Sequence, residues 1–335
     1  TIMPIYFNYL ASSANVSEVD YLAFWGYATS AATIITAILG PVLGTVSDFR
    51  GWKKRLFLFS LLVGDCGCMV LGFLSSWIWF LLIFVLAKAA YSLSLIFYDS
   101  MLTDVTTEER MDEVSSRGYA WGYIGSCVPF LISLALVLFY ETLGISMNLA
   151  MSIAFLLIAV WWVCFAVPLL RSYKQLHCIE NHDHAVSSGL RRLGHVFGEL
   201  KKNKKILFFL IAFFFYIDGV YTIIDMATAY GTALGLDTTG LLLALLVTQI
   251  VAFPAALIFG RLSGKYKNAS LIKICIAAYF LIALYGITLK EQYQFWILAV
   301  CVGMFQGAIQ SLSRSYFARI IPAERSGEYF GIYDI

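Results

Sequence analysis

Four charged residues stand where only apolar sequence surrounds them. Asp65 lies in the run at about 56–76, Lys88 in the run at about 78–101, and Asp218 and Asp225 in the run at about 206–230. A charge inside a hydrocarbon layer is costly, so each must be paired, hydrogen-bonded or used. Asp65 and Lys88 differ in helical depth by roughly 6 Å, a gap that a long lysine side chain closes. They read either as a buried pair or, alternatively, with Lys88 facing a central cavity where it meets a substrate carboxylate. Asp218 and Asp225 are seven residues apart and so share one helix face, roughly 10 Å apart along the axis. Tyr221 and Thr222 lie between them, which makes a polar stripe in a phenylalanine-rich run. Asp218, near mid-depth, can carry a coupling proton. The plainer reading of both acids is structural hydrogen bonding.

These residues need a membrane around them, and the composition supplies one. Of 335 residues, 60% are hydrophobic and 13% are charged, against roughly 45–50% and 25% in a soluble domain. A soluble globular chain, a disordered chain and a nucleic-acid binder are excluded. Ten apolar runs are predicted as helical spans, at about 1–11, 21–46, 56–76, 78–101, 118–140, 148–170, 206–230, 239–260, 271–289 and 294–318. Most reach the ~20 residues that cross a bilayer as helix. Taking every second break between them collects 21 of the 23 Lys and Arg, and the positive-inside rule puts those breaks in the cytoplasm. Six of the seven cysteines lie in apolar runs, so no disulfide framework is expected. His177, Cys178, His182, Asp183 and His184 match no established metal spacing, and no metal or cofactor is expected.

Two short patterns recur at nearly one offset. Gly44-Thr-Val-Ser47-Asp48 returns as Gly260-Arg-Leu-Ser263-Gly264, and Glu109-Arg110-Met-Asp-Glu113 returns as Glu324-Arg325-Ser-Gly-Glu328. An offset of six spans keeps orientation, which is the arrangement of a parallel repeat. The expected organisation is an N-terminal half at 1–170, a cytoplasmic linker at 171–205 and a C-terminal half at 206–335. Leu190, Leu193, Phe197 and Leu200 give the linker an amphipathic helical spacing. By the same offset the first span is expected to be truncated, and two further spans are expected beyond Ile335. A chain opening on Thr1 inside an apolar run reads as a fragment.

Twelve spans in two halves with a basic central loop resemble the major facilitator superfamily. Its signature after the second span reads here as Gly44, Val46, Ser47, Asp48, Gly51, with Trp52 and Lys53; the second copy has Gly264 for the Asp and Lys267 for the Gly. Ser115-Ser-Arg-Gly-Tyr-Ala-Trp-Gly-Tyr123, Phe215-Tyr-Ile-Asp-Gly-Val220 with Thr222, and Ser313-Arg-Ser315 running into Pro322 resemble the vacuole-effluxer-like branch. The resemblance implies an all-α polytopic fold of two six-helix halves and a secondary transporter moving a small solute by alternating access. It hints at amino-acid efflux and proton coupling. It places Asp218 and Asp225 near the central cavity.

In such a fold Gly44, Asp48, Arg50, Gly51 and Lys53 form a cytoplasmic gate. A carboxylate at Asp48 can accept hydrogen bonds from a neighbouring helix N-terminus and pair with an arginine, for which Arg117 is one candidate. Gly118, Gly122 and Gly125 are expected to permit close helix approach. The expected partners are the solute, protons and the lipid bilayer, with no nucleic acid and a monomeric working form. The expected site is the plasma membrane of a bacterium or the vacuolar membrane of a fungus. The alternatives are a polytopic membrane enzyme and a non-transporting receptor or scaffold. No His-Glu-x-x-His, Gly-x-Ser-x-Gly or nucleotide-binding loop supports an enzyme or direct ATP drive.

Overall fold

The computed structural model describes residues 2–180, 198, 200 and 202–334. The linker residues 181–197, which include His182, Asp183, His184, Leu190, Leu193 and Phe197, lie outside the described residues. The helices are α1 (Ile2–Ser13), α2 (Glu18–Ser47), α3 (Trp52–Leu71), α4 (Trp77–Ser100), α5 (Met111–Phe139), α6 (Met147–Ser172), α7 (Lys204–Ala233), α8 (Thr238–Leu262), α9 (Asn268–Ile287), α10 (Gln292–Ile320) and α11 (Ser326–Tyr333). A short helical turn, Leu102–Val105, follows α4. Among the described residues the only β-type pairing is an isolated bridge between Phe49 and Ile179.

The helices fall where the apolar runs predict, and the ends are set by local chemistry. Ser17, Ser146, Asn203 and Asp237 each accept a backbone N–H in the first turn of α2, α6, α7 and α8. These are N-caps that satisfy otherwise orphaned donors. Glu291 and Gln294 form a reciprocal capping box on α10. Among the described residues, eight helices are long and apolar enough to cross a membrane. The helix α3 is excluded from that group by Lys53, Lys54, Arg55 and Asp65, and α1 by its 12-residue length. The helix α5 begins at Met111, earlier than the apolar run, because its first two turns are polar.

The chain divides into two compact units. One contains Thr1–Val105, Pro129–Phe197 and Ala323–Ile335, and so holds α1–α4, the later part of α5, α6 and α11. Its core is aromatic: Tyr6, Phe7, Phe80, Phe84 and Phe155 pack with Leu71 and Met151. The other contains Thr106–Val128 and Gly198–Pro322, and so holds the beginning of α5 with α7–α10. Its core gathers Leu241, Ala244, Phe295, Leu298 and Val302, with a second cluster at Leu271, Ile272 and Leu312. In this unit α10 lies close against α8. A Cβ on Gly303 would sit 2.7 Å from the Thr248 carbonyl oxygen, and one on Gly307 would sit 2.9 Å from the Tyr123 ring.

Candidate functional site

Within the first unit, the loop ending α2 meets the start of α11. Gly51 takes a left-handed turn, φ +78°, which a side chain would disfavour. That turn reverses the chain into α3 and leaves Asp48 at the end of α2. The Asp48 carboxylate is fully buried and accepts hydrogen bonds from the backbone N–H of Gly327 at 2.7 Å and of Glu328 at 2.9 Å. These are orphan donors at the positive end of α11. Just behind it the two helices touch backbone to backbone. A Cβ on Gly44 would run into the Gly327 carbonyl, and one on Gly331 would sit 2.6 Å from the Gly40 carbonyl oxygen. Gly40 and Gly44 on α2 thus face Gly331 and Gly327 on α11.

Burial dominates the electrostatics of Asp48, which lies just beyond the apolar span of α2. Its pKa is raised to about 7, because desolvation and the nearby Glu328 outweigh Lys53 and the two amide hydrogen bonds. Lys53, fully buried, reaches three elements: its Nζ donates to Ser326 Oγ at 2.7 Å and to the Ser100 carbonyl at 3.5 Å, and it pairs with Asp104 Oδ2 at 3.4 Å. Asp104 also accepts from Tyr173 Oη at 2.5 Å, Leu176 N at 3.1 Å and His177 N at 2.8 Å. The His177 ring lies against the same carboxylate, with Nδ1 at 3.3 Å. Burial and the Asp104 charge push the Tyr173 hydroxyl well above its ordinary range, so it stays protonated and donates. Arg50 is exposed. Arg117, a sequence candidate for pairing with Asp48, pairs instead with Glu113 one turn earlier on α5, at 2.7 Å.

The second unit carries a related crossing. Gly260, the repeat of Gly44, lies against α5: a Cβ there would sit 2.6 Å from Ser116 Cβ. The second copy has no aspartate to cap a helix, and a side-chain network takes that place. Asp112 receives Arg319 Nη2 at 2.9 Å and Asn268 Nδ2 at 2.6 Å. Arg314, buried, donates to Ser115 Oγ at 3.0 Å and to its carbonyl at 3.1 Å, and stacks 4.6 Å from the Tyr119 ring centroid. Deeper in, Tyr123 donates to Gln310. Tyr216 and Ser313 are bonded at 2.6 Å. The Tyr279 hydroxyl and Gln306 Oε1 are buried without a hydrogen-bond partner among the described residues.

The intramembrane charges are placed differently from the pairing expected of them. Asp65 is buried with Oδ1 unpartnered, while Lys88 is exposed with its ammonium 5.8 Å from the Tyr91 ring centroid. No ion pair joins them among the described residues. The reason is register: α3 meets α4 through Gly64 and Gly67, against Tyr91 and Ala87. Lys88 stands about 100° round the helix from Ala87. Asp218, Tyr221 and Thr222 are exposed on α7, and the side chain of Asp225 lies outside the described residues. The close helix approaches lie elsewhere than at Gly122 and Gly125, where a Cβ would meet nothing within 4 Å; Gly118 is half-buried.

A family profile described as vacuole effluxer Atg22 like matches residues 12–108 and 103–335. The chain belongs to that family. Atg22-like relatives include the uncharacterized MFS-type transporter YxiO of Bacillus subtilis, 38% identical over the whole of this chain and 79% of its own length. Autophagy-related protein 22 of Eremothecium gossypii is 24% identical over 90% of this chain and 66% of its own. The fold matches that of the proton:xylose symporter XylE, with a TM-score of 0.67 at 13% identity over 96% of this chain and 77% of that one. It also matches the human organic anion transporter MFSD10, with a TM-score of 0.60 at 14% identity over 99% of this chain and 79% of that one. This Atg22-like chain is therefore a multi-pass membrane transporter of the major facilitator fold.

Sequence reasoning missed Asp104, Tyr173 and Gln175 at the Asp48 loop, and Tyr123 and Tyr279 in the second unit. Asp104 carried a signal, since it is an acid directly after an apolar run and near in register to the basic start of α3. The tyrosines carried none, because a buried Tyr in a span reads as ordinary packing.

Proposed function

We propose that this chain is a secondary transporter that moves a small solute by alternating access, with Asp48 as a cytoplasmic latch. The observation that carries this is the buried Asp48 carboxylate seated on the first amides of α11. The contact joins the second helix of one sequence half to the eleventh of the other and holds few bonds, so it suits a switching element. While it is made, the basic-loop ends of α2 and α11 are held together; when it breaks, that side opens. The halves 1–170 and 206–335, joined by 171–205, are the moving bodies in this reading, and one monomer suffices. Efflux of amino acids is the substrate reading that the family resemblance supports. Coupling to protons is supported by Asp218, an exposed carboxylate in the middle of α7. The membrane is the plasma membrane in a bacterium and the vacuole in a fungus.

Uptake of radiolabelled amino acids into proteoliposomes, with and without a pH gradient, tests this. Asp48→Asn should slow flux while leaving membrane insertion intact. Asp218→Asn should abolish gradient-driven flux and preserve exchange. Normal flux in Asp48→Asn would remove the latch from the mechanism.

A further inference from the structure

The loop that carries Asp48 is also held by the chain that follows α6. Gln175 does most of this. Its Oε1 accepts from Gly51 N at 2.9 Å, and its Nε2 donates to the carbonyls of Ser47 at 3.1 Å and Asp48 at 3.5 Å. Four residues on, the backbone pairs with the loop: Arg50 N donates to the Ile179 carbonyl at 3.1 Å and Ile179 N to the Asp48 carbonyl at 2.9 Å. The end of α2 leaves carbonyls without helical partners, and the turn at Gly51 leaves a donor. Residues 173–179 satisfy these groups.

We infer that the segment Tyr173–Ile179 is a working part of the latch, with Gln175 and Asp104 as positioning residues that aim Asp48 at α11. This rests on the latch reading above. The link is Asp104. On one side it holds Lys53, which reaches Ser326 at the start of α11. On the other it holds Tyr173 and the amides of Leu176 and His177. One buried carboxylate therefore serves both the helix that Asp48 captures and the strap that holds the loop. Unseating the strap removes the partners of Ser47 O, Asp48 O and Gly51 N together. The loop then no longer fixes where the Asp48 carboxylate points. The segment Tyr173–Ile179 thereby adjusts how long α11 stays captured.

The test uses Ser47→Cys as a reporter. Ser47 is fully buried and lies against Gly327, so a water-soluble maleimide reaches it only when α11 leaves α2. The protein is reconstituted in liposomes, and labelling is read by mass spectrometry of the peptide bearing residue 47. Gln175→Ala in this background should raise the labelling rate about fivefold, as expected for loss of hydrogen bonds at the loop. Tyr173→Phe should raise it less, and neither should lower the unfolding midpoint in proportion. Wild-type labelling in both, with faster labelling in Asp48→Ala, which removes both acceptors of the α11 amides, overturns the strap and leaves the latch standing. Unchanged labelling in Asp48→Ala as well overturns the latch reading itself. A lower unfolding midpoint with unchanged labelling makes the strap a mere anchor and also overturns the inference. If Gln175→Ala fails to fold, Tyr173→Phe decides.

Discussion

Lys53 and Asp104 meet at 3.4 Å with both side chains fully buried. Removing one partner of such a pair leaves an uncompensated buried charge, which is costlier than losing the pair. Lys53→Met should therefore destabilise the protein by about 3–5 kcal/mol, whereas Lys53→Met with Asp104→Asn should recover much of the loss. Equilibrium unfolding in detergent measures both.

The latch should respond to pH with a definite sign. Asp48 titrates at about 7 when seated on α11 and near the ordinary ~4 when released into water. The seated state thus holds its proton more tightly. Its stabilisation is fully present below about pH 4 and is lost as pH rises through 7. The groups around it are Lys53 from α3 and Glu328 from α11, with Asp104, Tyr173 and His177 behind. Labelling of Ser47→Cys should accelerate between pH 5 and 8, taken as a ratio to the Asp48→Asn background to cancel the thiol's own titration. A flat ratio contradicts the assignment.

Glycine substitutions should separate into two classes. Gly327→Ala pushes a methyl into the backbone of α2, and overpacking of that kind costs about 1–3 kcal/mol. Gly122→Ala meets open space, and alanine is the better helix former by about 1 kcal/mol. Unfolding midpoints should fall in the first and hold or rise in the second.

Asp65 and Lys88 should behave as strangers. A double-mutant cycle with Asp65→Asn and Lys88→Met is expected to give a coupling within about 0.5 kcal/mol of zero. A larger coupling would show that the pair forms in another state of the transport cycle.

Tyr279→Phe deletes a hydroxyl that bonds to nothing among the described residues, so stability should be unchanged or slightly raised. Tyr123→Phe strands Gln310 and should cost about 1–3 kcal/mol. Melting curves of the two variants, recorded side by side, distinguish them.

The spans were legible because long apolar runs leave few alternatives to helix. The partner of Asp48 was legible as a kind, a helix N-terminus, since a short carboxylate at a helix end can do little else. Which helix supplies it was not legible, because α11 lies 279 residues away from Asp48 along the chain. Arg117 was a reasonable candidate cation, yet Glu113 is on its own helix, four residues away, and local pairs form first. Asp65 and Lys88 matched in depth but not in azimuth. Depth follows from counting residues, whereas azimuth depends on which small residues bring two helices together, and here those are Gly64 and Gly67. The degenerate repeat at Gly264 was visible as a missing acid, but its replacement by Asp112, Asn268 and Arg319 required three elements to converge.

Where α2 and α11 cross, four glycines bring main chain against main chain. The side chains that fill the space at Gly327 are the small Ser47 and Asp48, so parting the helices there leaves no bulky group to re-enter its hole on return. The barrier to separation is then set by a handful of polar bonds at one end of the seam. A single proton or a single amide at that end can govern the frequency of opening along the whole contact.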